Sequence, residues 1–132
     1  MSEFKSAEAS TAAKVLIVED EAGLRFLTSD FLTHDAGFTV VEARTADEAI
    51  EILKAMADIQ CVFTDVRMPG RFDGVALTRH VKEHYPDLPV MMTSGNLHPG
   101  DLVTDVPFMA KPYDLQMLSV AIREMIDNLR RE

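Results

Sequence analysis

The 132-residue chain has no tryptophan, two tyrosines and a single cysteine, Cys61. One cysteine excludes an internal disulfide and is typical of a reducing compartment. Long hydrophobic runs are lacking as well. No apolar stretch approaches the roughly 20 residues of a membrane span, and the first 13 residues hold no hydrophobic signal-peptide centre. These absences predict a cytoplasmic protein with no membrane-spanning segment and no membrane partner.

Basic residues are also scarce. Lysine and arginine number 13 against 22 aspartates and glutamates, which gives a net charge of −9. Nucleic acid is therefore not expected as a direct partner, because phosphate binding needs clustered positive charge. Apolar residues make up 47% of the chain, and a single domain of this length buries roughly two-thirds of its unfolded surface. Residues 1–13 are predicted to be a disordered tail and residues 14–130 the folded domain.

Strand-like and helix-like segments alternate along the chain. Helical segments separate the strands, and a last helix is predicted from about 114 to 129. This alternation predicts an α/β fold, with a doubly wound parallel sheet and helices on both faces. The order 2-1-3-4-5 would bring the first and third strands together, and the acidic residues that follow these two strands favour it, although the other common order also brings strand ends near one another. The five predicted strands lie near 14–19, 38–43, 60–65, 89–93 and 107–110.

Polar groups stand at the ends of the apolar runs. Glu19 and Asp20 follow the first run, Asp65 the third, Thr93 the fourth and Lys111 the last. Ligands of open α/β sheets bind outside the carboxyl ends of the strands, so these groups are expected to converge. Three carboxylates about 4 Å apart repel one another by roughly 1 to 4 kcal/mol per pair and need a cation or protonation. Oxygen ligands without histidine or cysteine favour magnesium, and the hydroxyl and amine suit phosphoryl oxygens.

These features closely resemble the receiver domain of two-component response regulators, of the single-domain, CheY-like kind. The resemblance covers about residues 14–130 and implies a flavodoxin-like sheet. Any one of its motifs alone would be weak evidence, whereas the full set in this order is specific. The motifs are Glu19-Asp20, Asp65-Val66-Arg67-Met68-Pro69-Gly70 with Asp73-Gly74 after it, Thr93-Ser94 and Lys111-Pro112.

The resemblance implies a role for each matching residue. Asp65 would accept the phosphoryl group, and Glu19, Asp20, Asp65 and the backbone carbonyl of Arg67 would hold Mg²⁺. Thr93 and Lys111 would each bind a phosphoryl oxygen.

Two further positions match family features that accompany the site. Phe108 matches the aromatic switch position, whose rotamer follows the movement of Thr93. Pro112 matches a position that often follows a cis Lys-Pro bond.

The family implies a phospho-aspartate switch of a two-component phosphorelay. A histidine kinase or histidine phosphotransfer protein would phosphorylate it, and output would go through contact with an unknown downstream protein or by acting as a phosphate sink. The chain would not be an enzyme, apart from its magnesium-dependent self-phosphorylation and self-dephosphorylation. It is expected to be a monomer or a weak dimer. The chain could also be a fragment of a longer regulator, although the sequence gives no hint of a linker continuing after Glu132.

Two rival interpretations come from other classes of protein. A phosphatase or phosphotransferase of the haloacid dehalogenase type usually carries a second aspartate two residues after the nucleophile, and here that position is Arg67. A pseudo-receiver would be a binding module that is never phosphorylated. The complete set of site residues argues against it.

The chain departs from the family pattern in the segment before Lys111. This segment is several residues short for a full helix, and Asn96-Leu97-His98-Pro99-Gly100 is typical of a turn. A truncated or irregular fourth helix is predicted roughly within 99–104.

The first helix shows a possible docking surface. Projection at 100° per residue places Leu24, Leu27 and Phe31 on one side and Phe26 nearly opposite. We expect an exposed Phe26 and its neighbour Arg25 to contact the phosphoryl donor.

Overall fold

The computed structural model describes residues 12–70, 72–96 and 101–131. The predicted disordered tail lies outside the described residues as far as residue 11. The described part of the chain has five strands and four helices, which alternate except that β5 follows β4 with no α-helix in the described residues between them. They are β1 (Lys14–Val18), α1 (Ala22–His34), β2 (Thr39–Ala43), α2 (Ala46–Ala55), β3 (Ile59–Asp65), α3 (Gly74–His84), β4 (Val90–Ser94), β5 (Phe108–Ala110) and α4 (Leu115–Arg131).

The strands form one parallel sheet in the order β2-β1-β3-β4-β5, which confirms the predicted winding. β1 and β3 lie side by side near the centre, with Val18 opposite Thr64. At the same edge Asp65 lies opposite Thr93. The predicted strand positions agree with the structure to within about two residues at each end, the precision expected of such boundaries.

Helices cover both faces of the sheet because its central strands are apolar on both sides. On one face, Leu32 of α1 and Leu118 and Ile122 of α4 pack on Val15, Ile17 and Phe63. On the other face, α2 and α3 pack on the alternate strand residues through Ala49, Leu53, Leu77 and Val81. None of the described helices is long and apolar enough to cross a membrane.

The starts and ends of two helices follow local sequence signals. The Thr45 side chain caps α2 by accepting a hydrogen bond from the Glu48 N–H at 3.1 Å. The Glu48 carboxylate accepts from the N–H of Arg44, one residue before the position that a reciprocal capping box uses. After α1, Gly37 adopts a φ of 79° and the Phe38 N–H bonds to the Leu32 carbonyl.

The segment between β4 and β5 is irregular where the structure describes it. Of the predicted short helix at 99–104, residues 99 and 100 lie outside the described part. Over the described residues 101–107 there is 3₁₀ geometry at Asp101, a turn in which Asp105 has a φ of 66°, and no α-helix. This agrees with the expected truncation.

The interior face of α1 differs from the hydrophobic projection. Its buried residues are Thr28, Ser29 and Leu32. Leu27, which the projection placed inside, is 58% exposed and lies beside Phe26, which is 63% exposed. Thr28 can occupy the inner face of α1, although it is polar, because its hydroxyl has a hydrogen-bond partner inside the protein, the Tyr113 hydroxyl.

Cys61 is buried in the core, where burial raises the pKa of its thiol to about 12. This position fits an inert core residue and not a redox site.

Candidate functional site

Three carboxylates converge where β1 and β3 end. Asp65 is the last residue of β3, and Glu19 and Asp20 follow β1 directly. One carboxylate oxygen from each of the three lies within 4.8 Å of the others. Glu19 and Asp65 are buried, whereas Asp20 is exposed. The adjacency of β1 and β3 in the sheet order produces this cluster, as the sequence predicts.

Lys111 joins two of these carboxylates from the end of β5. Its Nζ donates to Glu19 Oε1 at 2.9 Å and to Asp65 Oδ2 at 3.2 Å. Burial by itself lowers the pKa of Lys111, but the two carboxylates outweigh it and the pKa is raised. Lys111 therefore stays protonated and holds a positive charge against the acidic cluster.

Lys111 does not fully offset the cost of burying the negative charges of Glu19 and Asp65. Burial raises the pKa of Asp65, and Lys111 opposes this rise only in part. Burial likewise raises the pKa of Glu19, and the nearby charge of Asp65 adds to it. The cluster holds excess negative charge, and its three acidic residues offer only oxygen ligands. Such a site suits a hard divalent cation such as Mg²⁺. The residues present fit that ion.

Thr93 presents a hydroxyl that nothing in the described protein satisfies. The residue is 1% exposed and its Oγ1 has no hydrogen-bond partner among the described atoms. Its backbone is fixed, because the Thr93 carbonyl accepts from the N–H of Val66, the residue after Asp65. Buried hydroxyls are normally bonded, so this one is consistent with a ligand oxygen as its partner.

Arg67 and Phe108 border the cluster. The Arg67 N–H bonds to the Asp65 carboxylate, while its half-exposed side chain pairs with Asp101 at 2.8 Å. Phe108 is half-buried, pairs with Met92 in the sheet, and packs against the small cluster of Val66, Val75 and Met92. The metal contact of the Arg67 carbonyl and the switch role of Phe108 stay predictions.

Arg25 does not lie on the surface beside Phe26 as expected. Its side chain is 14% exposed and points inward, with Nη1 donating to the Glu19 carbonyl and Nε donating to Glu42. Of the two predicted docking residues, Phe26 is exposed and Arg25 is half-buried, and their contact with a donor stays a prediction. A long cationic side chain can reach across elements, and helical projection alone does not show where its end lies.

A contact of Tyr113, two residues after Lys111, was not predicted from the sequence. The Tyr113 hydroxyl and the buried Thr28 Oγ1 are 2.8 Å apart, and the Tyr113 ring packs edge-on against Phe63. The Lys111–Pro112 peptide is cis, as the family resemblance implied. Tyr113 follows this proline, so the contact fastens the Lys111 loop to α1.

Gly74 was named only as part of the family motif, and its packing against the site was not predicted from the sequence. The Asp73 side chain caps α3, and the Gly74 N–H donates to the Val66 carbonyl at 2.8 Å. A Cβ on Gly74 would fall 1.8 Å from the Asp65 carbonyl oxygen. The start of α3 thus lies directly against the backbone of the candidate phosphoryl acceptor, which only a glycine allows.

A parallel sheet of this order, with acids, a hydroxyl and a lysine at its carboxyl edge, defines the class of flavodoxin-like signalling domains. Residues 15–123 match the family model of the response regulator receiver domain. The chain belongs to this family.

Comparisons with curated relatives and with solved structures agree with this family assignment. The chain is 33% identical over 93% of its length to the sensor kinase CckA of Brucella abortus (strain 2308), and covers 13% of that protein. It is 35% identical over 92% of its length to the C4-dicarboxylate transport transcriptional regulatory protein DctD of Rhizobium meliloti (strain 1021), and covers 27% of it. The chain therefore spans only a small part of these relatives.

Among solved structures, a response regulator receiver protein from Sinorhizobium medicae WSM419 is similar at 31% identity with a TM-score of 0.82. The match covers 90% of this chain and 98% of that one. Receiver domains are signalling modules and are generally not enzymes. They bind Mg²⁺ at an acidic pocket and interact with histidine kinases and downstream effectors.

Proposed function

We propose that this chain is a magnesium-dependent phospho-aspartate switch of a two-component phosphorelay. Asp65 accepts the phosphoryl group from a histidine kinase or a histidine phosphotransfer protein. The signal then passes to a downstream protein by direct contact, or the chain serves as a phosphate sink. It works in the cytoplasm as a monomer or weak dimer and turns over no separate substrate.

The observation that carries this proposal is the unsatisfied hydroxyl of Thr93 opposite Asp65. The carboxylate is the nucleophile, Lys111 contacts it at 3.2 Å, and Thr93 lies beside it in the sheet. A phosphoryl group on Asp65 would offer Thr93 and Lys111 the oxygens that their donors need. Phosphoryl transfer requires chiefly positioning and charge neutralisation, and these residues provide both.

The transfer step uses the residues as follows. A carboxylate oxygen of Asp65 attacks the phosphorus of the donor phosphohistidine and a P–O bond forms. The P–N bond breaks, and its electron pair returns to the imidazole nitrogen. Lys111 stabilises the negative charge on the phosphoryl oxygens, and Thr93 donates its hydroxyl proton in a hydrogen bond.

Glu19, Asp20, Asp65 and the Arg67 carbonyl would hold Mg²⁺, which supplies charge neutralisation for the phosphoryl oxygens. After transfer, the phosphoryl group adds about −1.5 to −2 of charge. The pull on Thr93 and Lys111 then favours the second of two packings, in which Phe108 follows Thr93.

The first test is intact mass after incubation with Mg²⁺ and acetyl phosphate, with a parallel sample in which EDTA replaces the metal. We expect a gain of one phosphoryl group only with Mg²⁺, and peptide mapping should locate it on the β3 segment that ends at Asp65. No gain from acetyl phosphate or from phosphorylated kinases, in protein shown to be folded by circular dichroism, would refute the switch and favour the pseudo-receiver.

We further propose that Phe26 and the adjacent Leu27 contact the phosphoryl donor. These side chains are 63% and 58% exposed on α1, whose first turn follows the acidic loop. Buried aromatic anchors often contribute 2 kcal/mol or more to an interface, about a 30-fold effect.

Phe26→Ala is therefore expected to slow phosphotransfer from a phosphorylated histidine phosphotransfer protein by about tenfold or more. Its phosphorylation by acetyl phosphate should be unchanged, because a small phosphodonor needs no protein docking surface. Met117→Ala, at a residue 65% exposed on α4, is the matched control and should behave as wild type. An unchanged transfer rate in Phe26→Ala would exclude this surface from donor docking.

A further inference from the structure

We propose that Arg25 is a positioning residue for the magnesium site, which it serves by fixing the loop that carries Glu19 and Asp20. This inference rests on the proposed function, because it concerns the affinity of the same acidic cluster for Mg²⁺. Arg25 touches neither the metal nor the phosphoryl group. It acts through the backbone of Glu19.

The guanidinium of Arg25 bridges two elements. Nη1 donates to the Glu19 carbonyl at 2.8 Å, and Nε donates to Glu42 Oε1 at 3.1 Å. Glu42 belongs to β2, the edge strand, whereas Glu19 begins the loop after β1. A guanidinium presents several donors in a rigid plane, so one side chain can satisfy both acceptors at once. The exposed fraction of its side chain is only 14%.

The backbone N–H of Glu19 also bonds to the end of β2. The Glu19 N–H donates to the carbonyl of Ala43, the residue after Glu42, at 3.0 Å. The peptide groups on both sides of Glu19 are therefore fastened to the end of β2, one directly and one through Arg25. The backbone of Asp20 begins at the carbonyl that Arg25 holds.

The two acids depend on this backbone to different degrees. The carboxylate of Glu19 has further anchors, since Oε1 accepts from Lys111 and Oε2 accepts from the Glu21 N–H. Asp20 is exposed, and its approach to Asp65 depends on where the loop backbone lies. Loss of the Arg25 bridge should therefore misplace Asp20 first.

The sign of the change in Mg²⁺ affinity on replacing Arg25 distinguishes a positioning role from a purely electrostatic one. Arg25 carries a positive charge near the proposed cation site, so its charge alone weakens Mg²⁺ binding. Removing that charge without moving the loop would tighten binding. If Arg25 positions the acidic pair, the same substitution weakens binding. The two explanations predict changes of opposite sign.

The experiment is isothermal titration calorimetry of the whole chain with MgCl₂, comparing wild type with Arg25→Met, Arg25→Lys and Glu42→Ala. We expect Arg25→Met to weaken Mg²⁺ binding at least tenfold, the usual effect of losing a residue that orients a metal ligand. Arg25→Lys keeps the charge but reaches only one acceptor, so it should restore part of the affinity. In the double variant Arg25→Met/Glu42→Ala, the loss should be close to that in Arg25→Met and smaller than the two single losses combined, because both changes break one bridge.

Arg44→Met is the matched control. It removes one positive charge just after β2, but the Arg44 side chain is 71% exposed and pairs with Glu48. Its Mg²⁺ affinity should equal that of wild type or be slightly higher.

Equal or tighter Mg²⁺ binding by folded Arg25→Met would overturn the positioning role while leaving the proposed switch intact. A wild-type chain that binds no Mg²⁺ would overturn the magnesium function and this inference together. If circular dichroism shows that Arg25→Met does not fold, Arg25→Lys decides the question, because it keeps the positive charge while losing one of the two acceptors. Wild-type affinity in folded Arg25→Lys would then refute the role, and weaker binding would support it.

Discussion

An Asp65→Asn variant is expected to gain no phosphoryl group from acetyl phosphate and, in EDTA, to unfold at a higher temperature than the wild type. The first effect follows because an amide oxygen is not a nucleophile for phosphorus under these conditions. The second follows because Asn removes one charge from a buried acidic cluster. Carboxylates about 4 Å apart repel by roughly 1 to 4 kcal/mol per pair, and the lost attraction to Lys111 offsets part of that gain. A net gain of about 1 kcal/mol would raise the melting temperature by about 4 °C.

The pH dependence of this stabilisation has a defined sign. Burial raises the pKa of Asp65 above its ordinary value of 3.8, so between these two values the folded state binds more protons than the unfolded state. The wild type therefore loses stability as the pH rises through the raised pKa, and Asn removes this loss. The stability difference between variant and wild type should grow as the pH rises above 3.8 and become constant above the raised pKa. Thermal denaturation in EDTA at several pH values measures it.

Asp58→Asn is the matched control, because the pKa of Asp58 is shifted in the opposite direction to that of Asp65. Asp58 is exposed and bonded to Lys14 at 2.7 Å, which lowers the pKa of that carboxyl. Its replacement should leave the melting temperature unchanged or slightly lower it. Added Mg²⁺ should stabilise the wild type and reduce the advantage of Asp65→Asn. An Asp65→Asn variant that melts below the wild type in EDTA would contradict the account of charge strain at this site.

Much of the fold was predictable because the strand signals are local. Short apolar runs that end in polar residues indicated the strand positions, and the motifs favoured the order that places Asp65 beside Glu19. The structure confirms that order. The absence of a regular helix over the described residues 101–107 was also predictable, because turn-forming residues precede that segment.

The remaining features depend on contacts between distant parts of the chain. Thr28 occupies the inner face of α1 because Tyr113, 85 residues away, supplies its hydrogen-bond partner. Arg25 turns inward because Glu42 and the Glu19 carbonyl lie within its reach. Hydrophobic periodicity describes a helix by itself and contains no information about such partners. The projection therefore placed Leu27 inside, where the structure has it exposed.

Gly74→Ala is expected to destabilise the protein by about 3 kcal/mol or more, at the upper end of the cost of overpacking. The added Cβ would lie 1.8 Å from the Asp65 carbonyl oxygen and 2.8 Å from both the Asp65 carbonyl carbon and the Val66 Cα. All three are backbone atoms, so no side chain can rotate away. The start of α3 must move off β3, which strains the hydrogen bond from the Gly74 N–H to the Val66 carbonyl.

Helix propensity predicts the reverse, which makes the substitution informative. Alanine is favoured over glycine within helices by about 1 kcal/mol. Gly23→Ala is the matched control, because Gly23 is an exposed residue of α1 and a Cβ added there would meet nothing within 4 Å. That variant should be as stable as the wild type or more stable. Urea denaturation of both variants measures the difference in the free energy of unfolding.

The strain in Gly74→Ala should also slow phosphorylation, because the displaced atoms belong to Asp65, the proposed phosphoryl acceptor. Asp65 ends β3, and its carbonyl faces Gly74 while its carboxylate faces Lys111. A shift of about 1 Å in a reacting group costs roughly a hundredfold in rate. We therefore expect phosphorylation of folded Gly74→Ala by acetyl phosphate, at a temperature well below its melting point, to be at least tenfold slower than that of Gly23→Ala. Equal rates would mean that α3 moves away without disturbing Asp65, and that the close approach serves stability alone.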